Sequence, residues 1–166
     1  MRDTVHQPGR RQRPLHALLA LAVVAAAGAI GSRATLPAIP AWYAGLAKPA
    51  FTPPNWVFGP AWTTLYVLMA TAFYRILNQP RLQGGRAAAV AAFLLHMALN
   101  ALWSVLFFGL RNPAAGLADI ALLWAVALLN AVLFVRLDRI AGLLMIPNLL
   151  WVSYAAALNF EVWRMN

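Results

Sequence analysis

The sequence predicts an all-α integral membrane protein built as a bundle of five transmembrane helices. Three observations lead there. Of its 166 residues, 63% are hydrophobic and only 10% are charged, with a mean hydropathy of +0.68, whereas soluble domains carry about 25% charged residues. Five apolar stretches come close to the roughly 20 residues needed to cross the hydrocarbon core. Turn and breaker residues punctuate the joints between them. With so little chain left over, a second domain has no room.

Residues 1–14 form a basic tail containing Arg2, Arg10, Arg11 and Arg13. The first span covers about residues 15–32. Arginines ahead of an alanine-rich run also suit a signal peptide. This run is longer than a usual signal core, however, and no small-x-small cleavage site precedes a soluble domain. Arg11 lacks the residues that follow a twin-arginine signal, so the span is read as a retained helix. A long connection, about 33–56, follows it; the other joints are short. The second span is about 57–77, the third about 87–110, the fourth about 114–135 and the fifth about 140–162. Pro80 with Gly84-Gly85, Asn112-Pro113 and Arg136 to Arg139 separate the last four. Pro147 lies within the fifth span, where it removes a donor and predicts a kink.

The net charge of +9 comes from 13 Lys+Arg against 4 Asp+Glu. On a soluble face such an excess would point to nucleic acid. Here the cations lie between apolar runs and set topology instead, so the lipid bilayer is the expected partner and nucleic acid is not. Nine of them (Arg2, Arg10, Arg11, Arg13, Arg75, Arg81, Arg86, Arg136 and Arg139) flank one side, and four (Arg33, Lys48, Arg111 and Arg164) flank the other. The positive-inside rule places the N-terminus in the cytoplasm. The expectation is a multi-pass protein of a bacterial cell membrane. With no cysteine, a disulfide framework, a thiolate metal site and a cysteine nucleophile are all excluded.

Three spans carry polar or aromatic stripes at helical spacing. His96, Asn100, Trp103 and Phe107 mark the third; Asp119, Leu123, Val126 and Asn130 the fourth; Asn148, Trp151, Ala155 and Asn159 the fifth. Trp62, Tyr66, Met69 and Phe73 continue one face of the second. An amide or carboxyl facing lipid is costly, so these faces should turn inward. Individually the residues fit structural roles, since interhelical amide bonds contribute about 1 kcal/mol or less. Together the stripes favour an internal pocket. Gly84, Ala88 and Ala92 opening the third span have the small-xxx-small spacing of close helix pairs, which fits internal packing or a homodimer.

The inventory for catalysis is poor. His96 is the one histidine well inside a span, with His16 at the outer edge of the first, so convergent metal ligands are lacking, and no metal is expected. Ser104 and Ser153 have no His/Asp partners, and Asp119 and Glu161 lie at different depths on different helices, which leaves hydrolysis without parts. Intramembrane charge pairs of a coupled pump are also missing, with Asp119 the one candidate for a small transporter.

The connection between the first two spans has a distinctive text: Trp42-Tyr43, Lys48-Pro49, Pro53-Pro54, Trp56, Gly59-Pro60, Trp62 and Leu65-Tyr66. With Ala98-Leu99-Asn100, Trp103, Phe107-Phe108-Gly109, Pro147, Trp151 and Leu158-Asn159-Phe160, the chain resembles the tryptophan-rich sensory protein/translocator protein family (TspO/MBR), which includes the peripheral-type benzodiazepine receptor. The likeness covers about residues 15–166. It implies a five-helix bundle, often dimeric, whose ligand pocket is closed by the first loop. Porphyrins are the implied ligands, with sterols and benzodiazepine-type drugs in animal members; no resident cofactor is required. By motif, Trp62, Tyr66, Asn100, Trp103, Trp151, Ala155 and Asn159 would bind the ligand. Trp42, Tyr43, Lys48, Pro49, Pro53 and Pro54 would belong to the lid. Lys48 and Arg33 near the entrance would attract ligand carboxylates.

The same likeness implies a receptor or carrier for porphyrin or haem-related compounds. Its enzymatic alternative is light- or oxygen-dependent porphyrin breakdown through Trp62 and Trp151. The sterol-associated pattern maps to Leu158, Phe160 and Arg164, with Phe160 where the pattern has tyrosine. Other departures are Ala115, where animal members carry tryptophan, and Asn148, where tyrosine is usual.

Overall fold

A computed structural model describes residues 12–80 and 83–166. The tail through residue 11, with Arg2, Arg10 and Arg11, and also Arg81, lie outside the described residues. Five long helices, α1 (Gln12–Thr35), α3 (Asn55–Leu77), α4 (Arg86–Ser104), α5 (Pro113–Leu137) and α6 (Arg139–Met165), form the bundle. The short α2 (Ala38–Ala41) and a 3₁₀ turn, Tyr43–Gly45, lie between α1 and α3. Among the described residues there is no strand. All five long helices are long and apolar enough to cross a membrane. Leu15, Leu18, Leu21, Leu95, Leu122, Leu129 and Leu150 point outward, as befits helices whose surrounding solvent is lipid. The protein is a multi-pass membrane protein.

Helix ends follow local chemistry. Asn112 caps α5, its side chain accepting from the Ala115 N–H at 3.0 Å, and Pro113 fills the first helical position, where a missing N–H costs nothing. Asp138 is the sole residue between α5 and α6, and its Oδ1 accepts from the Ala141 N–H at 3.0 Å. At the end of α3, Arg86 donates to the carbonyls of Ile76 (3.2 Å) and Leu77 (2.8 Å), cations being favoured there by the helix dipole. His16 Nδ1 and Asn78 Oδ1 lie 3.1 Å apart and tie the start of α1 to that same end.

The bundle has two unlike halves. Around the α3–α4 connection it is solid: Met69, Phe73 and Ile76 pack with Ala89, Phe93, Phe134 and Met145, and Ala20, Val24 and Ala27 of α1 close the side. Phe73 stacks on Phe93 at 4.2 Å, and Phe93 meets Phe134 at 5.8 Å. α1 is thus an integral wall of the bundle. Toward the α1–α3 connection the same helices spread around a cavity.

Three details differ from the sequence expectation. Every long helix starts or ends a few residues beyond its predicted span, so Arg13 and Pro14 of the expected tail are helical. The 33–56 connection is partly helical, because Pro37 precedes α2 and Pro40 sits in its first turn, where no backbone N–H is required. The third span does not end as a plain α-helix: Val105–Gly109 form a π turn, with the Leu110 N–H reaching the Val105 carbonyl at 2.8 Å. Arg111 (φ 54°) then takes a left-handed conformation that ends the segment. α6 is a single helix through Pro147.

Candidate functional site

The hollow half encloses a cavity of about 530 Å³. Its α3 wall is Phe58, Trp62 and Tyr66, residues four apart on one face, as the helical repeat requires. Trp151, Tyr154, Ala155, Leu158 and Asn159 come from α6, and Trp103, Ser104, Phe107 and Phe108 from α4 and its π turn. Gly28, Gly31, Ser32 and Thr35 complete the ring from α1.

The aromatic rings brace one another. Trp62 lies 5.5 Å from Tyr66 and meets Trp151 edge-on at 6.2 Å, while Phe58 meets Trp151 at 6.1 Å. Trp103 stacks on Phe107 at 5.3 Å with only 20° between the planes. The π turn at Val105–Gly109 adds a residue to the turn and re-aims the side chains beyond it; such turns recur at functional sites.

Two amides fix the polar side of the wall. The Trp103 indole N–H donates to Asn159 Oδ1 at 3.0 Å, and Asn159 Nδ2 donates to the Pro113 carbonyl at 2.8 Å. Asn159 therefore holds Trp103 in place and anchors α6 to the start of α5. The Tyr66 hydroxyl donates to Asn100 Oδ1 at 3.1 Å. Asn100 stands behind Tyr66 rather than on the cavity surface, so its role is to position Tyr66.

The connection expected to form the lid docks on the π turn. Tyr43, buried, contacts Phe108 at 5.5 Å, and Trp42 contacts Phe107 at 5.5 Å. Burial first, and then the neighbouring Tyr154, hold the Tyr43 phenol above its ordinary value. Lys48 has a different place from the one expected of an entrance cation. Its Nζ donates to the carbonyls of Tyr43 (2.7 Å), Leu46 (2.9 Å) and Ala44 (3.3 Å), and it lies 4.9 Å from the Tyr43 ring centroid. The Tyr43 carbonyl also accepts from the Leu46 N–H at 3.4 Å, so the ammonium adds a second, charge-assisted bond there and gathers the carbonyls at the end of the 3₁₀ turn. Pro49, Pro53 and Pro54 shape the path back to α3, with Pro54 extended (ψ 143°) immediately before it. The Tyr154 hydroxyl donates to the Phe51 carbonyl at 2.8 Å, and Asn166 bonds both the N–H and the carbonyl of Ala47 at 3.0 Å. Arg33 is exposed.

The three sterol-pattern residues do not share a site. Leu158 faces the cavity, whereas Phe160 is 44% exposed and pairs with Trp163 at 5.9 Å. Arg164 pairs with Glu161 at 2.6 Å. Two residues apart on a helix means about 200° of rotation, which is why Leu158 and Phe160 diverge. Gly84, in the turn before α4, and Ala88 on that helix are exposed, while Ala92 turns into the bundle.

The architecture is an aromatic cavity inside five helices, flanked by a proline-rich connection. Residues 19–164 match the TspO/MBR family. The chain belongs to that family. It is 41% identical over 152 residues to the tryptophan-rich protein TspO of Archaeoglobus fulgidus, covering 92% of this chain and 97% of that one. It is 38% identical over 148 residues to the tryptophan-rich sensory protein of Cereibacter sphaeroides, covering 89% and 91%. The human translocator protein is 38% identical over 128 residues, covering 75% of each chain.

Sequence reasoning missed several cavity residues. Gly28, Gly31, Ser32 and Thr35 follow the i, i+3, i+4, i+7 pattern of one helix face, yet a span so rich in alanine hid it. Phe58 and Tyr154 were also missed, though each extends an aromatic face already recognised, at a step of four or three residues.

Proposed function

We propose that the protein is a membrane receptor or carrier for flat, hydrophobic tetrapyrroles such as porphyrin or haem-related compounds, held in the aromatic cavity beneath the lid. The observation that supports this best is the cavity itself: about 530 Å³ walled by Trp62, Tyr66, Trp103, Phe107 and Trp151. Small-molecule sites fall between about 300 and 1,000 Å³ and combine apolar walls with a few polar groups. Stacked and edge-on rings contribute about 0.5–1.5 kcal/mol each beyond burial. Asn159, Ser104 and Thr63 supply the polar contacts. The charge count orients the protein with its N-terminus in the cytoplasm of a bacterial-type cell membrane, so the lid faces the opposite side.

Protoporphyrin titrated into the purified protein, followed by tryptophan quenching, tests the reading. Trp62→Ala and Trp151→Ala should each weaken binding roughly tenfold, the equivalent of one lost ring contact. Unchanged affinity in both would remove the pocket assignment.

The edge-on contact of Trp62 with Trp151 at 6.2 Å, extended by Tyr154 at 5.7 Å, also supports a second reading. Closely spaced oxidisable rings suit light- or oxygen-dependent porphyrin breakdown, with the porphyrin as its own photosensitiser. Time-resolved absorbance separates the two readings. Loss of porphyrin into a defined product means turnover, and a stable red-shifted complex means binding.

A further inference from the structure

Behind the cavity, at mid-bundle, lies a second polar cluster that the ligand site does not use. His96, Asn130, Asn148 and Asn100 are all buried, with relative exposures of 0%, 0%, 1% and 2%. Asn148 Nδ2 lies 3.1 Å from His96 Nε2, and Asn130 Nδ2 donates to the Ala92 carbonyl at 3.1 Å. Ala92, His96 and Asn100 stand on successive turns of one face of α4, about 6 Å apart along the axis. Three helices therefore bring their amides and one imidazole to the same stretch of α4.

One polar atom on each of these side chains has no partner in the protein: His96 Nδ1, Asn148 Oδ1, Asn130 Oδ1 and Asn100 Nδ2. Leaving such a group unpaired in the interior costs about 1–3 kcal/mol, and four in one cluster call for a shared occupant. Their chemistry identifies it. If Asn148 Nδ2 donates to Nε2 of a neutral imidazole, Nδ1 carries the proton. The four then comprise two donors (His96 Nδ1–H and Asn100 Nδ2–H) and two acceptors (the two Oδ1 atoms). If the Asn148 amide is turned over, its Oδ1 accepts from Nε2–H. The free set is then Asn148 Nδ2–H and Asn100 Nδ2–H as donors, with His96 Nδ1 and Asn130 Oδ1 as acceptors. Either assignment leaves two donors and two acceptors.

A metal ion or other bare cation needs acceptors alone, and an anion needs donors alone. Water offers two of each, and buried waters make about three bonds to polar groups left without protein partners. We propose that His96, Asn130, Asn148 and Asn100 form an internal binding site for one or two ordered water molecules, separate from the ligand cavity and joined to its wall through the Asn100–Tyr66 hydrogen bond. The site neutralises a polar cluster in the middle of the membrane and holds α4, α5 and α6 in register behind Tyr66. It does not depend on which ligand the cavity takes.

NMR of the full-length protein labelled with ¹⁵N-histidine, in lipid nanodiscs, tests this site directly. The His96 ring signals are identified by their loss in His96→Gln. Transfer from water protons to the His96 ring proton, or to the Asn100 and Asn148 side-chain amide protons in a uniformly labelled sample, is the expected result. In Asn130→Leu/Asn148→Leu, which fills the site with apolar side chains, the transfer to His96 should be lost. Cross-peaks from these groups to protein protons alone would overturn the proposal, as would ring and amide protons exchanging with bulk water too fast to observe. The wild-type spectrum decides the matter even if the double variant fails to fold.

Discussion

An added Cβ at Gly142 would sit 2.6 Å from the Val135 Cβ and 2.7 Å from the Val135 backbone. Backbone cannot swing aside, so Gly142→Ala should destabilise the protein by at least about 2 kcal/mol. At Gly59 nothing lies within 4 Å of the same added atom, and Gly59→Ala should leave stability unchanged or raise it by up to about 1 kcal/mol. Thermal unfolding in one detergent compares the pair. Residues of this kind also show what the sequence can reveal. Asn100, Asn130, Asn148 and Asn159 were legible as inward-facing, because an amide in hydrocarbon has one acceptable direction. Their particular partners were not. Lys48 is the clearest case: its acceptors are carbonyls of the 3₁₀ turn and of Leu46 just after it, and backbone carbonyls leave no trace in side-chain pattern.

At the scale of elements, the α5–α6 corner depends on Asp138. Burial alone would raise its carboxyl, but the Ala141 N–H, together with the hydrogen bond and charge of Arg75, outweighs that and holds it below the ordinary 3.8. Arg75 Nη2 approaches Asp138 Oδ2 at 2.8 Å. A carboxylate with a depressed folded-state value contributes stability that is complete above its ordinary value and is lost as pH falls through the folded-state one. Asp138→Asn should therefore lower the unfolding temperature at pH 6, and the gap from the parent should close below about pH 4. A pH-independent gap would mean that the capping geometry matters and the charge does not. The π turn makes a second prediction. Deleting Leu106 shortens Val105–Gly109 to an α-helical count and turns Phe107 and Phe108 away from the lid. Circular dichroism should keep its helical signal while porphyrin affinity falls at least tenfold. The five long helices were legible because hydropathy over about 20 residues is a strong signal. The π turn was not, since Val105–Gly109 has the same apolar composition as the α-helix before it.

For the whole molecule, the division into a solid half and a hollow half follows from which residues share each depth. Phe73, Phe93, Phe134 and Met145 fill one level, with alanines of α1 as their neighbours. At the other level the facing residues are glycines of α1 and large rings of α3, α4 and α6, which prop one another apart around the cavity. The connection proposed as the lid is fastened to α6 and the C-terminal residue at two points, Tyr154 to Phe51 and Asn166 to Ala47. Tyr154→Phe keeps the ring but releases the first, and ligand dissociation in stopped-flow should quicken by about 2- to 10-fold, the range of one neutral hydrogen bond. That the connection between the first two spans is stiff and aromatic was readable from its prolines and tryptophans. That it rests on the π turn through Trp42 and Tyr43 needed the fold. The most direct test of the central claim is a crystal structure of the protein in complex with protoporphyrin. The account predicts the macrocycle inside the bundle, against Trp62 and Trp151 and beneath Tyr43; a macrocycle bound on the lipid-facing surface, with the cavity unchanged, would contradict it.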